Sequence, residues 1–222
     1  VFLNVPANLL SWATANGLAV APSGYDAIAS QQTNPLVQIT QPGLFAPVSG
    51  KVEIRGTAAV ENLASYSVQV GQGINPQSWQ QVGETGTSAV QEDILAEWDT
   101  RGLEDGLYAV RLNVVDQQNQ IETAILQVTV DNTAPSVAIS DPQPTSSISA
   151  GSTITLRAEV SDNVSVDRVE WWLDGKKVEE RSQAPYVALW QATTGKHTLQ
   201  IKAFDSAGNE GDSEKLTFQV QK

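Results

Sequence analysis

The sequence predicts an all-β protein, two tandem antiparallel β-sandwiches preceded by a short N-terminal helical segment. The first observation is an internal repeat. Residues 52–58 align with 154–160, residues 106–116 align with 195–205, and each copy places a Trp, Trp98 or Trp190, a little upstream of that last strand. A repeat of roughly a hundred residues is too long for a solenoid turn and right for a small independent β domain. The second observation is alternation. Val52 and Ile54, then Tyr108, Val110, Leu112 and Val114, alternate with polar neighbours, as do Leu199, Ile201 and Ala203 in the second copy. Period two with one apolar side marks a strand that covers a core with one face. Third, no long helical pattern interrupts either copy, which argues against α/β folds.

Residues 1–34 stand outside the repeat. Pro6 suits a first helical turn, Leu9, Trp12 and Ala13 recur at helical spacing, and Gly17 sits where a left-handed C-cap belongs. One short helix is expected there, with Trp12 on its packed face, followed by a polar linker around Ser30 to Pro35. An isolated helix that short is marginal in water and needs a partner to cover its apolar side. Residues 35–132 are expected to form the first sandwich, with turns at Gly71, Gly73, Gly83, Gly86 and Gly106. Asp131-Asn132-Thr133-Ala134-Pro135 is the hinge, and residues 133–222 form the second sandwich.

Composition narrows the function. The 222 residues include no Cys, so disulfides and Cys-based zinc sites are excluded. A formal charge of -12 argues against nucleic acid and against a polybasic membrane contact. No apolar run approaches the length of a membrane span, so direct membrane insertion is not expected. The absence of Met and the start at Val1 lead us to expect a processed piece of a larger protein.

With these residues in view, two family likenesses can be stated. The second copy resembles bacterial Ig-like domains in its Asp131-Asn132-Thr133-Ala134-Pro135 opening, in Ser161-Asp162-Asn163, in the Asp174-Gly175 turn and in Phe204-Asp205-Ser206-Ala207-Gly208-Asn209. The first copy looks like a related module, with Glu97-Trp98-Asp99-Thr100 ahead of Gly106-Leu107-Tyr108. Residues 1–26, with Val1-Phe2-Leu3-Asn4-Val5-Pro6, Trp12-Ala13-Thr14-Ala15-Asn16-Gly17-Leu18 and Ala21-Pro22-Ser23-Gly24-Tyr25-Asp26, resemble the segment that follows the transpeptidase domain in some class A penicillin-binding proteins. That resemblance implies a non-catalytic, extracytoplasmic C-terminal tail of a bifunctional peptidoglycan synthase, tethered to the membrane by an upstream anchor. Its implied neighbours are the upstream transpeptidase domain of the same chain and peptidoglycan or a cell-wall protein. The alternative from a different class is a calcium-stiffened spacer of an adhesin or secreted protease.

Several residues invite a chemical reading. Ser161-Asp162-Asn163 matches the second motif of penicillin-binding active sites, but that chemistry also needs a Ser with Lys three residues on and a Lys-Thr-Gly or Lys-Ser-Gly strand, and neither occurs here. A strand-to-turn transition is the simpler reading. His197, the sole histidine, falls where the first copy has Tyr108, so a structural role beside the core is expected over a hydrolase triad or a zinc site. Asp131, Asp162, Asn163, Asp205 and Asn209 come from several loops expected at one end of the second sandwich. Oxygen ligands of that kind suit calcium, though the same residue types also cap turns. No other cofactor is expected.

Trp171 and Trp172 are adjacent on a predicted strand and must point to opposite faces. Trp171 is expected in the core with Val169 and Leu173. Trp172 is expected on the outer face with Arg168 and Glu170, where an indole can pack under a loop or stack on a sugar ring. Trp79, Trp98 and Trp190 are expected in the cores.

Overall fold

The computed structural model describes residues 34–144 and 146–222. The expected N-terminal helix lies outside the described residues. Among those described, every regular element is a strand.

The first sandwich is built from β1 (Val37–Gln41), β2 (Pro47–Val48), β3 (Lys51–Ala58), β4 (Leu63–Gln72), β5 (Gln80–Gly86), β6 (Val90–Asp99), β7 (Gly106–Asp116) and β8 (Ile121–Val130). They form two sheets, ordered β1-β3-β6 and β2-β8-β7-β4-β5. The second sandwich uses β9 (Ser136–Asp141), β10 (Ile148–Ser149), β11 (Thr153–Ser161), β12 (Val166–Leu173), β13 (Lys176–Arg181), β14 (Val187–Gln191), β15 (Gly195–Asp205), β16 (Glu210–Asp212) and β17 (Leu216–Gln221). Its sheets, β14-β11-β9 and β10-β17-β15-β12-β13, repeat the first pair strand for strand. The one addition is β16, which folds back on β15.

In both copies the opening strand changes sheets. β1 pairs antiparallel with β3, whereas β2 runs parallel to β8; β9 and β10 do the same with β11 and β17. Pro42 and Pro142 stand at the two exits. Proline has no N–H to continue the ladder, so pairing with the first sheet ends there.

Alternation places the cores as the sequence predicts. On β7, Tyr108, Val110, Leu112 and Val114 are buried; on β15, so are Leu199, Ile201 and Ala203. The two clusters of buried apolar residues share no member, one formed by β1–β8 and the other by β9–β17. Trp171 is fully buried opposite Ile201, and Trp98 lies in the first core against Tyr108, ring centroids 5.8 Å apart. Trp190 is half-buried at the edge of the second core.

Trp79 departs from expectation. It belongs to the β4–β5 loop, and the Arg111 guanidinium lies 4.0 Å from its ring centroid on the outer face of the sheet. A cation over an indole offsets its partial exposure, and a loop residue has no strand register to carry it inward.

The linker between the sandwiches lies directly on β16. A Cβ added to Gly211 would come within 1.9 Å of the Pro135 carbonyl oxygen. Only glycine lets the two backbones approach that closely.

Candidate functional site at the junction

Three loops meet where the sandwiches join. β15 buries every second residue, Leu199, Ile201 and Ala203, and the same alternation takes its last residue, Asp205, inward to 2% exposure. Asp162 follows directly on β11, and Asp131 follows directly on β8 at the start of the linker. One carboxylate oxygen from each of Asp131, Asp162 and Asp205 lies within 4.8 Å of the other two.

Each carboxylate is held differently. Asp162 Oδ1 accepts from the amides of Val164 and Ser165, both at 2.9 Å, which turns its Oδ2 away from those donors. Asp205 accepts from the Asn209 amide at 2.8 Å and from Asn209 Nδ2 at 2.6 Å. Gly208, at φ +94°, provides the left-handed turn that brings Asn209 back over Asp205. Asp131 is fully buried, and neither of its carboxylate oxygens makes a hydrogen bond; Asp162 Oδ2 is likewise buried and unpartnered.

The electrostatics are correspondingly unfavourable. Burial first, then the charges of Asp205 and Asp162, pushes the Asp131 carboxyl above its ordinary range, and the nearby Thr133 amide and Asn163 side chain offset only part of this. Among the described residues no Lys or Arg forms an ion pair with any of the three. Carboxylates crowded together in a buried place without a cationic partner are costly. What remains is a set of oxygen donors drawn from three loops.

The residues around this trio lock the sandwiches together. From the first sandwich, the Ser49 hydroxyl lies 2.8 Å from Asn209 Oδ1 and 3.1 Å from Asn132 Oδ1. Asp105 accepts from the Asn132 amide at 2.7 Å, from the Thr133 hydroxyl at 2.5 Å and from Asn163 Nδ2 at 3.1 Å. The bonds from Thr133 and Asn132 hold its carboxyl below the usual carboxylate range. Asn132 also donates to the carbonyls of Thr100 and Leu103, at 2.9 and 3.3 Å. Asn209 Nδ2 donates to the Asp131 carbonyl at 2.7 Å.

The five residues singled out in the sequence therefore divide. Asp131, Asp162 and Asp205 converge through carboxylates, while Asn163 and Asn209 direct their amides to Asp105, Asp205 and Ser49. Sequence reading missed Ser49, Asp105 and Asn132. Asn132 was visible only as a hinge residue, and nothing local marks Ser49 or Asp105 as reaching another domain.

Elsewhere the singled-out residues make contacts within the second sandwich. Trp172 is half-buried on the outer face, its indole N–H donating to Glu170 Oε2 at 2.9 Å. Arg168 and Lys177 reach Glu170 Oε1 at 3.3 and 3.4 Å, so the indole belongs to a charged surface network. His197 Nε2 lies 2.9 Å from the carbonyl of Thr193, four residues upstream, as the Tyr108 hydroxyl lies 3.2 Å from that of Glu104, also four upstream. This is the tyrosine corner of sandwich folds, with histidine in the second copy. His197 Nδ1 meets Asp174 Oδ2 at 2.7 Å.

Asp174 supplies a pH test. Burial raises its carboxyl, but the hydrogen bonds from His197 and the Thr198 amide outweigh that and leave it below its ordinary value. A depressed carboxylate adds stability above its unfolded pKa of about 3.9, and that stability is lost as pH falls through the folded value. Between pH 5 and 3 the wild type is expected to lose more melting temperature than Asp174→Asn. Parallel losses would show the contact contributes nothing.

A cleft of about 650 Å³ in the first sandwich is lined by Trp79, Trp98, Tyr108, Glu97 and Asp99, with no His, Lys or Cys. Hydrogen bonds from Arg101 push the Asp99 carboxyl down to about 2, too low for proton donation near neutral pH.

Residues 135–201 match the family model of the bacterial Ig domain. In structure, the chain is similar to fibronectin(III)-like modules of Clostridium thermocellum CbhA, with TM-score 0.53 and 18% identity over 82% of this chain and 93% of that one. Titin domains A168-A170 give TM-score 0.45 at 15% identity, over 82% and 63% of the two chains. Murine CEACAM1b gives 0.39 at 14%, over 83% and 98%. The CbhA likeness shows the fold, a pair of Ig/FnIII-like sandwiches. No curated protein matches the chain.

Proposed function

We propose that this chain is a non-catalytic, extracytoplasmic spacer that holds two Ig-like sandwiches in one orientation within a bacterial cell-envelope protein. The observation that carries the proposal is the side-chain lock across the junction, in which Ser49 and Asp105 of the first sandwich engage Asn209 and Asn163 of the second. A flexible tether has no need of such contacts, and linked domains move by default unless something fixes them. The match of residues 135–201 to the bacterial Ig domain and the Ig/FnIII-like fold support a non-catalytic role.

The resemblance of residues 1–26 supports the C-terminus of a peptidoglycan glycosyltransferase and transpeptidase as the parent. In that setting the spacer sets the distance between the enzyme and the wall, with peptidoglycan or a wall protein as partner. The carboxylate trio favours a second reading, a calcium-stiffened spacer of an adhesin or secreted protease.

Small-angle scattering tests the spacer. The chain is expected to scatter as a particle with one fixed arrangement of its sandwiches, and Asn209→Ala is expected to broaden the distance distribution. A wild type already as broad as that variant would end the spacer reading.

A further inference from the structure

We propose that Asp131, Asp162 and Asp205 form a calcium site at the base of the second sandwich, facing the first. Two independent observations support it. The donor oxygens lie within 4.8 Å of one another, so some point lies no more than about 2.8 Å from all three, and a small side-chain adjustment brings them to calcium–oxygen distances of about 2.4 Å. Separately, Asp131 is fully buried with both carboxylate oxygens unpartnered, and Asp162 turns an unpartnered buried oxygen to the same place. Turn-capping accounts for Asp162 Oδ1 and for Asp205, but it leaves these three oxygens with no partner.

The chemistry selects a hard cation. Every donor is a carboxylate oxygen, and among the described residues neither sulfur nor imidazole joins the group, which disfavours zinc and copper. Three separate loops with unequal burial suit calcium, which accepts flexible geometry, better than magnesium, which demands a near-ideal octahedron and keeps most of its water. Asn209 and the Val164 and Ser165 amides become the supports that aim the ligands. Because Asp131 begins the linker, the ion would tie the last strand of one sandwich to two loops of the other.

The proposal deepens the spacer reading and fails separately from it, since the side-chain lock acts without an ion and scattering reports it in chelator. The test is calorimetric melting of the whole chain in EDTA, in calcium and in magnesium, with calcium titration calorimetry alongside. Calcium at about a hundredfold over its dissociation constant is expected to raise the melting of the second sandwich by roughly 10 °C or more. Magnesium at the same concentration should leave it near the EDTA value.

Asp131→Asn is expected to melt higher than wild type in EDTA, because a buried charge is removed, and to lose the calcium response. Asp162→Asn, on a partly exposed loop, should keep the fold and lose the same response. An EDTA value matching that in calcium for wild type, an equal shift with magnesium, or an undiminished shift in Asp162→Asn would each overturn the site.

Discussion

Trp171→Ala is expected to destabilise the second sandwich by about 3–5 kcal/mol while leaving the first unchanged. Trp171 is fully buried among Val169, Leu173 and Ile201, and no other fully buried side chain in that core matches its volume. Truncating a buried Trp costs about 3–5 kcal/mol, partly as lost transfer energy and partly as the cavity left behind. A domain of this size holds only about 5–15 kcal/mol in total. Because the two cores share no residue, the damage should stay on one side of the linker.

The chemistry of the indole refines the expectation. Its N–H is buried without an acceptor, a group that costs about 1–3 kcal/mol to leave unsatisfied. Trp171→Phe loses volume but removes that orphan donor, so it should cost well under half as much as the alanine change. Urea denaturation followed by circular dichroism and Trp fluorescence separates the cases. If both sandwiches were lost in one transition, the independence of the cores would be refuted.

Asn132→Ala is expected to destabilise the first sandwich by about 2–3 kcal/mol and to loosen the junction. The side chain ties Ser49 to the carbonyls of Thr100 and Leu103, and Thr100 is fully buried. Removing the amide takes one donor from each carbonyl and leaves that of Thr100 with only the Leu103 amide at 3.0 Å, where water has little access. The measurement is the urea midpoint of the first transition. A loss under about 0.5 kcal/mol, typical of a surface change, would mean that water replaces the amide and that the linker is merely covalent.

The two predictions differ in how far sequence alone could have reached them. Trp171 was legible, because a strand permits only one of two adjacent tryptophans to face inward, and Val169 and Leu173 assign that face. Trp79 was not, because loop residues follow no such rule and its partner, Arg111, lies on another strand. His197 was matched to Tyr108 by the repeat, yet the shared bond to a carbonyl four residues upstream required coordinates. Asn132 read as a turn former, and its service to the first sandwich depends on the distant Ser49, Thr100 and Asp105.

By itself the sequence determined the all-β class, the duplication and the inward residues, because strand period and repeat are local properties written along the chain. The same local rule even carried Asp205 to the buried end of β15. Only the tertiary structure decided which loops share one end of a sandwich, and therefore that Asp131, Asp162 and Asp205 crowd together while Asn163 and Asn209 turn aside to bind the neighbouring module. The physical reason is that side-chain direction within a strand follows from backbone geometry, whereas convergence of loops depends on the packing of whole sheets, for which no short stretch of residues carries a signal.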